Sequence, residues 1–124
     1  DVCSSDLWLS LQFGTRAADG DRPNTPADML NPGSLLGDFA ETARYVAATD
    51  LVVTVDTAMA HLAGSLGHPT WTLLAKVPDW RWGLAGEATG WYPSMRLWRQ
   101  MRHADWEGVA ERMAAALTKI ARRR

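Results

Sequence analysis

The sequence predicts an α/β fold, a Rossmann-like parallel sheet with helices on both faces. A β-branched apolar run (residues 51–55) leads directly into a helix-like pattern that ends at Gly67. Strand-like and helix-like segments alternate along the rest of the chain, which is the order that builds a parallel sheet covered by helices. The chain has 124 residues, of which 47% are hydrophobic, so it is long and apolar enough for one globular domain.

The amino-terminal part of the chain predicts two strands joined by a loop. LWLSLQF (7–13) alternates bulky and polar residues, which is typical of a strand, and Gly14 follows it. The polar segment 15–26 contains glycine and two prolines and predicts a loop. Residues 28–30 predict a short second strand before the turn at 31–33.

Two helices are predicted on either side of the apolar run 51–55. Asp38 followed by Glu41 resembles a capping box, and apolar residues at helical spacing come after it. The run itself is of the kind that is buried on both faces of a parallel sheet. Thr57 is the expected cap of the next helix, and Gly67 is its expected left-handed stop. The apolar face of this helix is expected at Met59, Leu62, Ala63 and Leu66.

The carboxyl-terminal half predicts two further strands and a long helix. Residues 70–75 and 96–100 are the expected strands, and the tryptophan-rich segment 78–93 between them is irregular, with a helical turn near 80–84. Asp105 is the expected cap of the last helix. The apolar stripe of that helix is expected at Trp106, Val109, Met113, Leu117 and Ile120.

Composition excludes several classes of function. The net charge of −1 argues against a general nucleic-acid-binding protein. No apolar run approaches the roughly 20 residues of a membrane-spanning helix. No two histidines or cysteines have the spacing of metal ligands, so we expect no metal site. Cys3 is the only cysteine, which rules out a disulfide within the chain.

The first seven residues, DVCSSDL, need separate treatment. They can be encoded by the end of a widely used sequencing adapter, so we expect residues 1–7 to be an artefact and exclude them from the fold. Without Cys3 the remaining chain has no cysteine at all. The native polypeptide is then expected to continue upstream of residue 8.

Asp56, Thr57 and His61 are the candidate functional residues. Asp56 follows the strand, Thr57 begins the helix, and His61 lies one turn further on the same helix face. Ligands of open α/β sheets bind outside the carboxyl ends of the strands, and helix amino termini favour phosphate. A carboxylate can bind sugar hydroxyls, while a hydroxyl and an imidazole can donate to a diphosphate as a bond to it breaks. Asp and Thr are also common helix caps, and His61 has the structural alternative of a half-buried, satisfied histidine.

Other side chains extend this candidate site. Lys76 follows a strand at the same sheet edge, where it either pairs with phosphate or is solvated. The segments 80–82 and 91–93 are either a packed aromatic wall or a surface for a nucleobase or sugar, with Trp80 as the expected contact. Arg96 and Arg99 either reach a phosphate or face solvent. The remaining histidines, His68 and His103, are expected at the surface.

The motifs resemble one enzyme family. DTAMAHLAGSLGHP (56–69) resembles the D-T-G-x-x-H-L-A-A-A-L-G-x-P motif of the heptosyltransferase-like glycosyltransferases of family 9. VPDWRW (77–82), WYP (91–93) and RLWRQ (96–100) resemble a bacterial branch of that family, whose members often carry tetratricopeptide repeats upstream. The likeness runs from about residue 7 to residue 120, which is nearly the whole chain.

The resemblance implies a GT-B architecture, in which two Rossmann-like lobes enclose the active site. Residues 8–122 would form an incomplete carboxyl-terminal lobe that binds a nucleotide-diphosphate-sugar donor, with no separate cofactor and no metal. The acceptor-binding lobe with its general base, and tetratricopeptide repeats, are expected upstream. The implied activity is transfer of a hexosyl or heptosyl group to an acceptor hydroxyl in the cytoplasm, and the isolated chain is expected to be inactive.

The resemblance also assigns roles to residues. Asp56 would contact the donor sugar, Thr57 and the backbone of Ala58 would hold the diphosphate, and His61 would lie beside it. Asp56 and His61 are therefore the expected catalytic residues. The family motif has glycine where this chain has Ala58, and a Cβ there limits how closely the backbone approaches a phosphate.

Two alternatives stay open. Ala58 and the tryptophan segment are compatible with a decayed, non-catalytic transferase-like module that serves as a scaffold beside helical repeats. A response-regulator-like or flavin-binding domain would keep the same fold, but it predicts no aromatic wall near Asp56. Convergence of Asp56, Thr57, His61 and residues 80–92 on one cleft is the geometric test that separates these alternatives.

Overall fold

The computed structural model describes residues 8–11, 29–32 and 37–122, and the chain divides into two compact units, residues 1–45 and 46–124. In the first unit, β1 (Trp8–Leu9) and β2 (Met29–Leu30) pair in parallel, with Trp8 opposite Met29. Both strands fall where the sequence predicts them. The expected artefact at 1–7 and the predicted loop at 15–26 lie outside the described residues.

Helix α1 (Phe39–Ala47) begins at the predicted cap. The Asp38 carboxylate accepts a hydrogen bond of 2.8 Å from the backbone N–H of Glu41, which satisfies one of the free donors of the first turn. The Glu41 carboxylate does not complete the capping box, because it pairs with Arg44 at 3.2 Å instead. Only the Asp38 half of the capping box is therefore formed.

The second unit contains a three-stranded parallel sheet in the order β3–β4–β5. Its strands are β3 (Val52–Val55), β4 (Thr70–Leu74) and β5 (Met95–Arg99). Val52 lies opposite Thr70, and Thr70 lies opposite Met95, so the carboxyl ends of all three strands meet at one edge. This arrangement, flanked by α2 (Ala58–Ser65) and α3 (Trp106–Arg122), confirms the predicted α/β class with a Rossmann-like parallel sheet.

The two helices cover opposite faces of the sheet. Alternate residues of β4 and β5 point to opposite faces, so each helix meets its own set of side chains. The α2 face buries a cluster of Ala60, Leu74, Trp82, Met95 and Leu97. The α3 face buries a cluster of Trp71, Trp98, Val109 and Met113.

Strand β3 corrects one prediction. It is not buried on both faces, because Val53 is 41% exposed and Val55 is 48% exposed. β3 is an edge strand of the described sheet, and both valines lie on the α3 face, beside Trp71 and Leu73 in register. The cluster beneath α3 reaches only Leu51 on this side.

Helix α2 buries a face that coincides with the predicted one at Ala63 but is otherwise made of smaller residues. Its buried residues are Ala60, Ala63 and Gly64, whereas Leu66 is exposed. Small residues let the helix axis approach the sheet closely. Gly64 makes a different close contact, because a Cβ at this position would lie 2.5 Å from Cγ of Tyr92, which is in the loop before β5.

Helix α2 ends as predicted, at a glycine in the left-handed region. Gly67 has φ 67°, its N–H donates to Gly64 O at 3.0 Å, and the N–H of His68 donates to Ala63 O at 3.1 Å. These two hydrogen bonds form a Schellman motif, which satisfies carbonyls that the helix leaves free.

Helix α3 also begins at its predicted cap, because Asp105 Oδ1 accepts from the N–H of Gly108 at 3.0 Å. In the predicted stripe, Val109 and Met113 are buried and Leu117 packs against them, while Trp106 and Ile120 at the two ends are exposed. Trp106 and Ile120 are each 43% exposed, so the cluster of described residues beneath α3 covers mainly the middle of the stripe.

A buried glutamine joins the carboxyl ends of β4 and β5. The Gln100 side chain accepts from the backbone N–H of Lys76 at 3.0 Å and of Ala104 at 3.2 Å, and the backbone N–H of Gln100 donates to Leu74 O at 3.0 Å. These bonds satisfy backbone groups in two loops at once. They fix the edge of the sheet where the candidate site lies.

Candidate functional site

The amino end of α2 carries two of the predicted site residues, and both are open to solvent. Asp56 directly follows β3 and is exposed. Thr57 occupies the N-cap position but makes no side-chain capping bond; its hydroxyl lies 3.4 Å from Val55 O and 3.3 Å from Thr54 Oγ1. The N-cap prediction is therefore right for the position and wrong for the hydrogen bond. The first turn of α2, which begins at Ala58, keeps donors that Thr57 does not satisfy.

His61, one turn into α2, is half-buried and in contact on several sides. Its ring stacks on Trp82, with centroids 5.5 Å apart and planes 20° apart, and it meets Tyr92 edge-on at 5.7 Å. Nδ1 lies 2.8 Å from Tyr92 Oη, and Nε2 lies 2.9 Å from Arg81 Nη1. Both ring nitrogens are therefore occupied by protein groups.

The hydrogen-bonding partners of His61 fix the roles of its two nitrogens. A guanidinium can only donate, so Nε2 of His61 must accept from Arg81. In the neutral ring Nδ1 then carries the hydrogen and donates to the Tyr92 hydroxyl. With this tautomer His61 has no N–H left to offer a ligand, and the donor next to it is Arg81.

Gly64 makes this arrangement possible. The Tyr92 ring lies against the backbone of α2 at Gly64, where any side chain would collide with it. From that position its hydroxyl reaches His61, one turn earlier on the same helix face. The packing of a glycine against a tyrosine thus positions the imidazole.

Arg81 lies in the 3₁₀ turn Trp80–Trp82, which Asp79 caps. The Asp79 carboxylate accepts from the backbone N–H of Arg81 and also pairs with Arg81 Nε, both at 3.2 Å. The Trp91 indole N–H donates to Arg81 O at 3.1 Å. Arg81 is therefore held through its backbone and through its side chain.

Two adjoining open cavities surround this arginine. The smaller cavity, of about 240 Å³, is lined by His61, Trp80, Arg81, Trp91 and Tyr92. The larger, of about 530 Å³, is lined by residues 80–83 and 88–91. Trp80 is 77% exposed and Trp91 is 57% exposed, and their rings meet edge-on at 6.4 Å. Large apolar side chains at the surface beside a fixed cation are typical of a binding site.

The structure brings some of the predicted site residues together and leaves others apart. His61 and Trp80 line the same cavity. Asp56, Thr57, Ala58 and Lys76 line neither of the two cavities. All four are exposed at or near the carboxyl edge of the sheet, so the described site has an aromatic part beside α2 and a polar part at its amino end.

Two arginines that the sequence suggests for phosphate binding are already engaged. Arg99 donates to the backbone carbonyls of Trp82, Gly83, Ala85 and Gly86 and so shapes the loop after the 3₁₀ turn. Burial lowers the pKa of Arg99 from its usual value. Arg96 pairs with Glu87 at 3.3 Å and lies over the Trp98 ring at 4.2 Å. Their role here is in the fold.

Sequence reasoning missed the roles of Arg81, Tyr92 and Gly64. In the sequence, Arg81 and Tyr92 stand out only as parts of tryptophan-rich segments. A useful signal is the spacing of His61 and Gly64, three residues apart on one helix face, which leaves room for an aromatic ring beside the imidazole. Nothing in the sequence says which aromatic ring fills that space.

The described residues contain neither a cluster of potential metal ligands nor a helix that could span a membrane. Across residues 8–11, 29–32 and 37–122 there is no group of three or more side chains placed to hold a metal ion. Within the same residues no helix has the length and apolar character needed to cross a membrane.

Comparison with known proteins identifies the family. Residues 31–109 match the model of glycosyltransferase family 9 (heptosyltransferase). The chain belongs to glycosyltransferase family 9. The match contains β3, α2, β4 and β5 together with every predicted site residue. The match supports glycosyltransferase activity for proteins of this family in general.

One curated relative is similar to this chain over part of its length. The protein FlbA of Caulobacter vibrioides (strain ATCC 19089 / CIP 103742 / CB 15) is 34% identical over 87 residues. That region covers 70% of this chain but only 14% of FlbA. No solved structure matches the chain significantly.

Proposed function

We propose that this chain forms the donor-binding half of a metal-independent glycosyltransferase that transfers a sugar from a nucleotide diphosphate to an acceptor hydroxyl. The observation that carries the proposal is the uncapped amino end of α2 beside the exposed Asp56, at the carboxyl edge of a parallel sheet. Family membership over residues 31–109 supports the same assignment.

The chemistry at this position follows from the charge that develops on the leaving group. When the bond between sugar and diphosphate breaks, negative charge accumulates on the phosphate oxygens. The free N–H groups and the positive end of the α2 dipole stabilise that charge, and the Thr57 hydroxyl adds another donor. Asp56 is placed to accept hydrogen bonds from sugar hydroxyls. Protein donors thus fill the role that a cation has in other transferases.

The proposal extends to the rest of the enzyme. Residues 8–122 would belong to the carboxyl-terminal lobe of a GT-B fold, with the acceptor lobe, the general base and tetratricopeptide repeats elsewhere in a longer cytoplasmic polypeptide. The chain alone would then bind donors weakly and transfer nothing.

The runner-up is a non-catalytic scaffold module derived from a transferase. Two observations favour it. Both nitrogens of His61 are occupied by Tyr92 and Arg81, and Ala58 stands where the family motif has glycine. In this alternative the aromatic surface binds a protein, and nucleotides do not bind.

Calorimetry separates the two functions. The chain, and any longer natural polypeptide that contains it, is titrated with UDP, GDP, ADP and CDP and with a nucleotide sugar of each base. We expect at least one nucleotide to bind. If none binds, the donor-site proposal is wrong and the scaffold alternative is favoured.

The Asp56→Asn variant tests the sugar contact. We expect about tenfold weaker binding of the nucleotide sugar, since a hydrogen bond to a charged group is lost. Binding of the free nucleoside diphosphate should stay the same or tighten, because a negative charge is removed beside it. Glu111→Gln, an exposed acid on α3, is the matched control and should change neither affinity.

A further inference from the structure

Arg81 is a cation fixed in place, with hydrogen-bonding capacity left over. Its Nε pairs with Asp79 at 3.2 Å, and its Nη1 donates to His61 at 2.9 Å. Its Nη2 makes no hydrogen bond to a residue that the structure describes. Part of the side chain is exposed, and it lines both open cavities. A guanidinium held on two sides loses little freedom when a further ligand binds.

The other basic side chains near this edge are less suited to a phosphate. Arg99 already donates hydrogen bonds to four backbone carbonyls. Arg96 already pairs with Glu87 and lies over the Trp98 ring. Lys76 is exposed at the sheet edge, but it lines neither cavity. Arg81 is the arginine whose side chain lines both cavities.

The orientation of the His61 side chain indicates where Arg81 lies relative to the amino end of α2. Side chains of a helix lean towards its amino terminus, so the imidazole is expected on the side of the turn before its own Cα. That turn is the first one of α2, which begins at Ala58. Arg81, which donates to His61 Nε2 at 2.9 Å, therefore adds a charged donor beside the first turns of α2, with its charge partly balanced by Asp79.

We propose that Arg81 binds the diphosphate of the donor together with the amino end of α2, and that His61 is a positioning residue that holds Arg81. The inference rests on the proposed function and deepens it. The exposed rings of Trp80 and Trp91 form the wall beside this cation, where they stack on the adjoining part of the nucleotide sugar. His61 then contributes through the acceptor Nε2 and not as a donor to phosphate.

The first test compares arginine and lysine variants in calorimetric titrations with UDP, GDP, ADP and CDP. For the nucleotide that binds the native chain, Arg81→Ala should weaken affinity tenfold or more, and Arg81→Lys should weaken it less, because the charge stays but the fork is lost. Lys119→Ala, an exposed base on α3, is the matched control and should change affinity less than twofold. Lys76→Ala, the competing candidate, should weaken affinity less than Arg81→Ala does. Cooperative thermal unfolding of each variant confirms that it is folded.

A second test separates positioning from direct contact. His61→Gln keeps an acceptor near the position of Nε2 and should retain most of the affinity, whereas His61→Ala should lose severalfold. In an Arg81→Ala background, His61→Ala should cost nothing more, since its effect passes through Arg81. Additive losses would instead make His61 a phosphate ligand and overturn its assigned role.

The outcomes distinguish failure of the inference from failure of the proposed function. If the native chain binds a nucleotide and Arg81→Ala binds it within twofold as well, Arg81 is not the diphosphate ligand, and the donor-site proposal survives. A larger loss in Lys76→Ala than in Arg81→Ala leads to the same conclusion. Absence of binding to all four nucleotides overturns both.

Discussion

The two faces of the sheet use the same kinds of side chain in opposite ways. On the α3 face, Trp71 and Trp98 are buried with centroids 4.8 Å apart, and Arg96 lies over them. On the α2 side, Trp80 and Trp91 are exposed, and Arg81 lies between His61 and Asp79. Each side therefore has a tryptophan pair beside an arginine, and the α2 side has a third, buried tryptophan, Trp82.

The difference lies in the backbone that carries these residues. Trp71, Arg96 and Trp98 are in strands, whose pleat directs them beneath a 17-residue helix. Trp80, Arg81 and Trp91 are in the irregular segment between β4 and β5, which packs on α2 through Trp82 and Tyr92 but leaves the rings of Trp80 and Trp91 exposed. Tryptophan in a covered strand stabilises the fold, whereas tryptophan on an open loop is left available to a ligand.

The largest expected difference in stability is between two truncations, one of a tryptophan on each face. We expect Trp98→Ala to lower the free energy of unfolding by about 3–5 kcal/mol, because it opens a large cavity in the core. Trp80→Ala, at a site 77% exposed, should change it by less than about 0.5 kcal/mol while weakening nucleotide binding. Chemical denaturation measures the first quantity and calorimetry the second. Equal losses of stability in Trp98→Ala and Trp80→Ala would contradict the difference between the two faces.

Disruption of the contact between α2 and Tyr92 should give the next largest loss of unfolding free energy. Gly64→Ala places a Cβ 2.5 Å from the Tyr92 ring, so we expect a loss of about 1–3 kcal/mol in unfolding free energy despite the better helix propensity of alanine. Gly90→Ala is the control, since nothing lies within 4 Å of the added atom. In a Tyr92→Ala background the cost of Gly64→Ala should shrink. A cost that persists there would mean that another contact is responsible.

Much of the fold was predictable because local signals agreed with the tertiary structure. Asp38, Asp105 and Gly67 mark helix ends by capping chemistry that acts within a few residues. The parallel order followed from alternating strands and helices. Burial was less predictable, because Val53 and Val55 have the composition of a central strand but occupy an edge.

The candidate site was predictable in position but not in its partners. The strand–helix junction at Asp56 and Thr57 is local in sequence, and the sheet places it at the carboxyl edge. The hydrogen bonds of His61 join residues that are 20 and 31 positions apart. Only the packing of the loop onto α2 determines that Arg81 and Tyr92, rather than solvent, meet the two ring nitrogens.

The smallest effect concerns a single hydroxyl on the α2 side. Tyr92→Phe removes the partner of His61 Nδ1, at 2.8 Å, and should lower the free energy of unfolding by about 1 kcal/mol. Tyr45→Phe is the matched control, because the Tyr45 hydroxyl makes no hydrogen bond to a described residue, and it should be close to neutral.

The nitrogen NMR spectrum of His61 gives a second measurement of the same contact. In the native chain Nδ1 should carry the hydrogen, since Arg81 cannot accept one, and this preference should weaken in Tyr92→Phe. A native spectrum with the hydrogen on Nε2 would contradict the orientation of the whole cluster and with it the distinction between the two faces.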